Sequence, residues 1–147
     1  MKSEKQEKRT VADTNREYYK HWTAINLRYG DTDRQGHINN AVYCTLYESG
    51  RVDFLFDGQQ SVAGPGTSYV IARIALDYLH EMHFPGTVEV ASRVTRIGGS
   101  SFTVAQAIFF QGKCSSTAES VIVQLDESTG KPMTITESLR RRLEAIS

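Results

Sequence analysis

The sequence has no net charge with which to act at a distance. Lysine plus arginine and aspartate plus glutamate each number 17 in 147 residues, so no basic field gathers nucleic acid and no acidic one gathers cationic partners. Any ligand charge must be met by local groups. Cysteine is scarce: Cys44 and Cys114 are the two present, too few for a disulfide framework. There is no charged-then-apolar leader, no apolar run of membrane-spanning length, no internal repeat and no low-complexity tract. These absences point to a soluble, cytoplasmic protein with reduced thiols and with neither membrane nor nucleic acid as a partner. The length suits one domain with a core of its own.

What is present divides the chain in two. "MKSEKQEKRTVADTNRE" has almost no large apolar residues and mixes charges of both signs, which predicts a disordered or loosely held tail over residues 1–17. From 18 to 147 the chain is patterned to fold. In "YYKHWTAINLRYG" Ile25, Leu27 and Tyr29 alternate, as a half-buried strand requires. Between Asn39 and Phe56 the period changes. Tyr43, Leu46, Tyr47, Gly50 and Phe54 fall at i, i+3, i+4, i+7 and i+11, one apolar face of a helix that Val42 and Leu55 widen. Cys44, inside this run, reads as a small buried thiol rather than a nucleophile.

Strands separated by turn signals fill the second half: "SYVIARIALDYLH", "TVEVASRVTRI", "SFTVAQAIFFQ" and "STAESVIVQLD". Short links between long strands favour an antiparallel meander. "TITESLRRRLEAI" closes the chain as a short helix, with Thr134 and Glu137 at capping-box spacing. The element order predicts an α+β domain in which a sheet wraps a central helix.

The stretch "RYGDTDRQGHINNAVYCTLYESGR", Arg28 to Arg51, is polar at its start and apolar and helical at its end. It resembles the signature of the hotdog-fold thioesterases of the 4-hydroxybenzoyl-CoA thioesterase type: an aromatic residue, then D-x-D-x-x-G-H-(V/I)-N-N-x-x-Y, with Glu and Arg further along the helix. The resemblance implies a curved antiparallel β-sheet around one long central α-helix. It also implies hydrolysis of an acyl-CoA thioester to a carboxylic acid and CoA, with no cofactor and no metal. The catalytic carboxylate of that family lies at the second aspartate of the motif, here Asp33, as general base or nucleophile. Family members pair two sheets edge to edge, so the resemblance also implies a homodimer or a tetramer of two dimers.

The residues support this chemistry in their own right. A helix N-terminus offers unpaired N–H groups and partial positive charge, which can polarise a thioester carbonyl. Asn39, Asn40 and Ala41 lie where those donors should be, although both asparagines also suit capping. Asp33 can activate water or attack the same carbon, whereas Asp31 reads as a loop-holding residue that bonds the backbone. Gly36 allows a positive φ or close approach by substrate. His37 can orient Asp33 or water, bind the carbonyl, or pack in the loop. Glu48 pairs by spacing with Arg51 as a structural ion pair and is the reserve catalytic carboxylate.

Arg93 and Arg96, near a glycine turn, are candidates for the CoA phosphates against the plainer reading of solvated strand arginines. A metal at "DTD" and His37 would need a second ligand cluster, and the sequence shows none. His80 and His83, at i and i+3 on a strand, would point to opposite faces, and they read as surface or strand-end residues. Two rivals to hydrolysis share the fold: a non-catalytic module that binds or displays an acyl thioester, and a hotdog dehydratase. The acidic residue at the thioesterase position argues against the first, and the lack of an obvious hydration motif against the second.

Overall fold

A computed structural model describes residues 14–147. The first thirteen residues of the expected tail lie outside the described residues. The last of it is anchored: Arg16–Tyr18 form a 3-10 turn capped by Asn15, and the Arg16 guanidinium lies over Trp22 and Phe109 and pairs with Glu89.

The apolar periods become the elements they imply. Strand β1 covers His21–Asn26 and helix α1 covers Asn40–Leu55. A short hairpin follows, β2 (Phe56–Asp57) with β3 (Gln60–Ser61). The long strands are β4 (Thr67–Tyr78), β5 (Thr87–Ile97), β6 (Ser101–Phe110) and β7 (Lys113–Asp126). Helix α2 (Glu137–Ala145) ends the fold. Its N-cap is Thr136, not Thr134: the Thr136 hydroxyl accepts the Leu139 N–H, while the Thr134 carbonyl accepts from the Gln124 side chain. Ile135 is buried with its N–H bonded to Gly99, which holds the chain extended at the position where a helix from Thr134 would begin.

The sheet order is β1-β5-β6-β7-β4, and every pair is antiparallel. The expected meander holds for β5, β6 and β7 only. β4 pairs with β7 instead of β5, because β1 takes the outer edge of β5 and leaves the β7 edge open. Register shifts at Ile71/Arg73, Val94/Arg96 and Ile108/Phe109 are the irregularities that bend and twist a sheet, and this one curves around α1. The link from β4 to β5, residues 79–86, must therefore cross the end of the sheet. It does so beside the segment that precedes α1, where Ile38 N–H bonds the Met82 carbonyl and Leu27 N–H bonds the Gly86 carbonyl.

Helix α1 buries the predicted face: Tyr43, Leu46, Tyr47, Gly50 and Phe54, together with Leu55. Its first half packs on Val88, Val90 and Ile108, and its second half on Val94, Phe102, Val104, Ile122 and the apolar side of α2. The opposite face of the sheet is covered by Tyr19, with Trp22 packed beside it over Ala91, Ala107 and Phe109. Cys44 departs from expectation. It is exposed, because it points past the buried face toward β4, where no described element covers it.

At Gly50 α1 lies tight against the sheet, where a Cβ would meet Val90 Cγ1 at 2.6 Å. A valine side chain is short and stiff and cannot swing away at little cost. Gly50→Val should therefore lower stability by roughly 1–3 kcal/mol through overpacking, measured as a lower urea midpoint at unchanged m-value. An unchanged midpoint would show that the helix can lift from the sheet without loss.

Candidate active site

The motif loop is held by its first aspartate. Asp31 is buried, and its carboxylate accepts the Arg28 N–H at 2.8 Å and the Arg28 guanidinium at 2.8 and 3.2 Å. Hydrogen bonding from the Arg28 side chain draws the Asp31 carboxyl below its usual range, against the opposing effect of burial. The Asp31 carbonyl accepts the Asn39 N–H at 2.8 Å, so the residue that enters α1 is tied to this clamp. Asp31 holds the loop, as expected.

Asp33 begins a tight turn. Its Oδ1 accepts the N–H groups of Gln35 and His37 at 2.9 and 3.1 Å, and its own N–H bonds the His37 carbonyl at 2.8 Å. This is the geometry by which an aspartate side chain replaces a backbone turn. Oδ2 takes no hydrogen bond among the described residues, and no cation pairs with the carboxylate there. Gly36 closes the turn at φ +84°, and a Cβ there would meet nothing within 4 Å. The positive φ, rather than crowding by the protein, is what requires glycine.

At the head of α1, Asn39 is the N-cap, with its side chain accepting the Ala41 N–H at 3.0 Å. Ala41 is thus not an open donor as expected; the cap consumes it. No acceptor among the described residues takes the Asn40 N–H, and the Asn40 carbonyl accepts from the Tyr78 hydroxyl at 2.9 Å. Asp33, His37, Asn40, Tyr43, Tyr78 and Glu81 surround a cleft of about 250 Å³. Its floor comes from the motif loop and α1, and its far wall from the end of β4 and the link after it.

Three of the wall residues, Tyr43, Tyr78 and Glu81, were not singled out from sequence. Tyr43 closes the motif but was read for the core alone; its ring stands edge-on to that of Tyr78, 4.9 Å away. Glu81 and His83 arrive through the crossing link, which no local pattern announces. Glu81 Oε2 lies 3.1 Å from His37 Nε2, and the rings of His37 and His83 are 5.0 Å apart. The sequence offered no second cluster of metal-ligating groups, but the fold brings one together here. β4 ends at Tyr78, so His80 and His83 lie just past the strand end and are exposed in the link, as expected of surface or strand-end residues.

Glu48 and Arg51 do not form the expected ion pair. The Arg51 guanidinium is buried and donates to Gln106 Oε1 at 3.2 Å and Ser120 Oγ at 3.5 Å; burial lowers its pKa from the usual range. Helical spacing turns Arg51 toward the sheet and leaves Glu48 exposed. Glu48 lines two further clefts between α1 and β4, one of about 220 Å³ with Cys44, Ile71 and Ile74, and one of about 320 Å³ with Leu55, Tyr69 and Ile122. Neither contains Asp33. Nor does the fold bring the two candidate phosphate cations to the Asp33 cleft. Arg93 donates to the Tyr18 carbonyl at 3.0 Å and stacks on the Tyr18 ring. Arg96 is exposed toward the other end of β5.

Similarity to known proteins agrees with this geometry. A sequence profile of the thioesterase-like superfamily matches residues 27–143. The chain is 26% identical over 128 residues to the long-chain acyl-CoA thioesterase FadM of Escherichia coli, spanning 84% of this chain and 97% of that protein. The crystal structure of the PA5185 protein from Pseudomonas aeruginosa superposes at a TM-score of 0.82 with 28% identity, over 90% of this chain and 94% of that one. A thioesterase from Thermus thermophilus, crystallised with coenzyme A and Zn, superposes at 0.74 with 26% identity, over 86% and 93% of the two chains. With that profile matched over most of its length and its fold superposing on these structures, the chain belongs to the thioesterase-like superfamily and is a thioester hydrolase of the hotdog fold.

Proposed function

We propose that the protein hydrolyses an acyl-CoA thioester to the free carboxylic acid and CoA, with Asp33 acting on the thioester carbonyl carbon. The observation that carries this reading is that Asp33 and Asn40, the first residue of α1, line one cleft. A carbonyl oxygen directed at Asn40 would meet an unused donor and the positive end of a sixteen-residue helix. One preorganised donor of this kind is worth about 3 kcal/mol in a transition state. Asp33 then takes the proton of an attacking water, or attacks the carbon itself, and collapse of the tetrahedral adduct expels the CoA thiolate. Gly36 and His37 shape the turn that presents the carboxylate, and Asn39 fixes the first turn of the helix.

The acyl group is assigned to the space between α1 and β4, where one cleft is lined by Cys44, Ile71 and Ile74 and a second by Tyr69 and Ile122. FadM acts on long-chain acyl-CoA, and the Thermus protein was crystallised with coenzyme A; both support a CoA thioester here. Arg96 is the cation left for the nucleotide phosphates, since Arg93 is engaged by Tyr18. Cys44 and Cys114 are not bridged, in keeping with a reducing cytoplasm.

We also infer a homodimer at minimum, with two dimers forming a tetramer. β4 is an edge strand that exposes Val70, Ile71, Ile74 and Tyr78 by 36–51%. An unprotected apolar edge of this length is a template for pairing with another chain. A second copy placed there would roof the groove beside it. Light scattering should give a mass of at least twice 16.5 kDa, and Val70→Lys with Ile74→Lys should lower both the mass and the turnover. A stable monomer at micromolar concentration overturns the assembly.

Asp33→Asn keeps the size of the side chain and its acceptor for the turn but removes the base, so folding should change little while kcat falls by at least ~100-fold. Glu48→Gln should leave most activity. Should Asp33→Asn retain hydrolysis while Glu48→Gln abolishes it, the helix carboxylate is the catalyst. If the parent hydrolyses none of a graded series of acyl-CoA thioesters that it binds, a non-catalytic binding module replaces the enzyme.

Asp31→Asn separates architecture from chemistry. Because the Asp31 carboxyl is depressed in the folded state, its stabilisation is present above the unfolded pKa of about 4 and is lost as pH falls through the lower folded value. The variant should be less stable than the parent at pH 7, and the difference should shrink below about pH 4. Equal stability of the two at pH 7 would remove the clamp from the account.

A further inference from the structure

We propose that His37, Glu81 and His83 form a binding site for a divalent transition metal of the zinc type. One ligand atom from each lies within 4.8 Å of the others. Glu81 Oε2 stands between the two rings, 3.1 Å from His37 Nε2 and 3.9 Å from His83 Nε2. Two ligands of a tetrahedral zinc at ordinary bond lengths are roughly 3.4 Å apart. The three groups are thus near the separation a single ion requires, and small side-chain rotations complete the fit.

Two features outside the cluster prepare it. His83 Nδ1 lies 3.4 Å from the Gly36 carbonyl. A carbonyl can only accept, so this nitrogen carries the proton and Nε2 presents its lone pair to the ion, an arrangement typical of metal-bound histidine. The backbone also brings the ligands together before any ion binds, since His37 and His83 face each other across an antiparallel bridge and Ile38 N–H bonds the Met82 carbonyl at 2.8 Å. Two imidazoles and one carboxylate select zinc, copper or nickel over magnesium or calcium, which prefer all-oxygen sets. The cluster supplies three ligands, so water completes the coordination.

An ion held there would join the motif loop to the link between β4 and β5, the two segments that flank the cleft. The site does not depend on Asp33 being the catalyst. Untagged full-length protein, stripped with chelator and titrated with zinc chloride at about pH 7.5, should bind one equivalent per chain and unfold at a higher temperature when loaded. Glu81→Gln and His83→Asn should each weaken binding at least ~10-fold and abolish the thermal shift, while His21→Asn and Asp33→Asn keep both. Cobalt bound in place of zinc should give visible bands that the Glu81 and His83 variants lack. Absence of saturable binding, or equal affinity in Glu81→Gln and His83→Asn, overturns the site and reduces the cluster to a surface ion pair.

Discussion

The close seat of α1 on the sheet is the constraint from which the rest of the structure follows. At Gly50 the helix backbone comes nearer to Val90 than any larger residue would allow. Polar groups then fix its position along the sheet. Gln106 donates to the Tyr47 carbonyl and to Ser92 and accepts from Arg51, and the Tyr47 hydroxyl donates to Ser116, which donates to the Asp77 carbonyl. Apolar packing alone is non-directional and would tolerate a helix displaced by part of a turn. A buried hydrogen-bond network does not tolerate it, because a shift would strand polar groups away from water. The charge of Arg51 is part of that network, which accounts for a buried guanidinium with no carboxylate bonded to it.

A helix fixed in this way fixes its own N-terminus, and with it the cleft. The motif loop has to deliver Asn39 to one point, and the Asp31 clamp does so through the bond from Asn39 N–H to its carbonyl. The sheet order supplies the opposite wall. Since β1 occupies one edge of β5, β4 must go to the far edge, and the link between β4 and β5 crosses the end of the sheet where the motif loop already lies. The cleft is therefore a consequence of topology as much as of the motif.

This division explains what could be read from the sequence. The face of α1 was legible residue by residue because a 3.6 period over sixteen residues is a strong signal, and the bounds of β5 were legible because turn residues flank it. The motif located Asp33, Gly36 and Asn39 because their roles are local: a turn, a positive φ and a cap. Partner choice was not legible where it depended on direction in space. Arg51 is three residues from Glu48 on the helix, yet the sheet and not the helix surface claims its side chain. Cys44 lies one position from a buried tyrosine and still faces outward, since burial there depends on whether β4 covers the spot. Glu81 and His83 are more than forty residues from His37 in sequence, and only the strand order brings them together.

The two aspartates of the motif show how one residue type is given two roles two positions apart. Asp31 is buried beside Arg28, so its charge is balanced inside the loop and is spent on architecture. Asp33 has one oxygen fixed by two backbone N–H groups and the other without a partner among the described residues, on the wall of an open cleft. Its charge is not cancelled by any described cation. A carboxylate restrained through one oxygen keeps its orientation while the second stays free of the turn, as the proposed attack on a carbonyl beside Asn40 requires. On the proposal that Asp33 acts on the thioester, the motif separates holding from reacting by solvent access and partner supply rather than by residue type, and substitutions at the two positions should differ in kind and not only in degree.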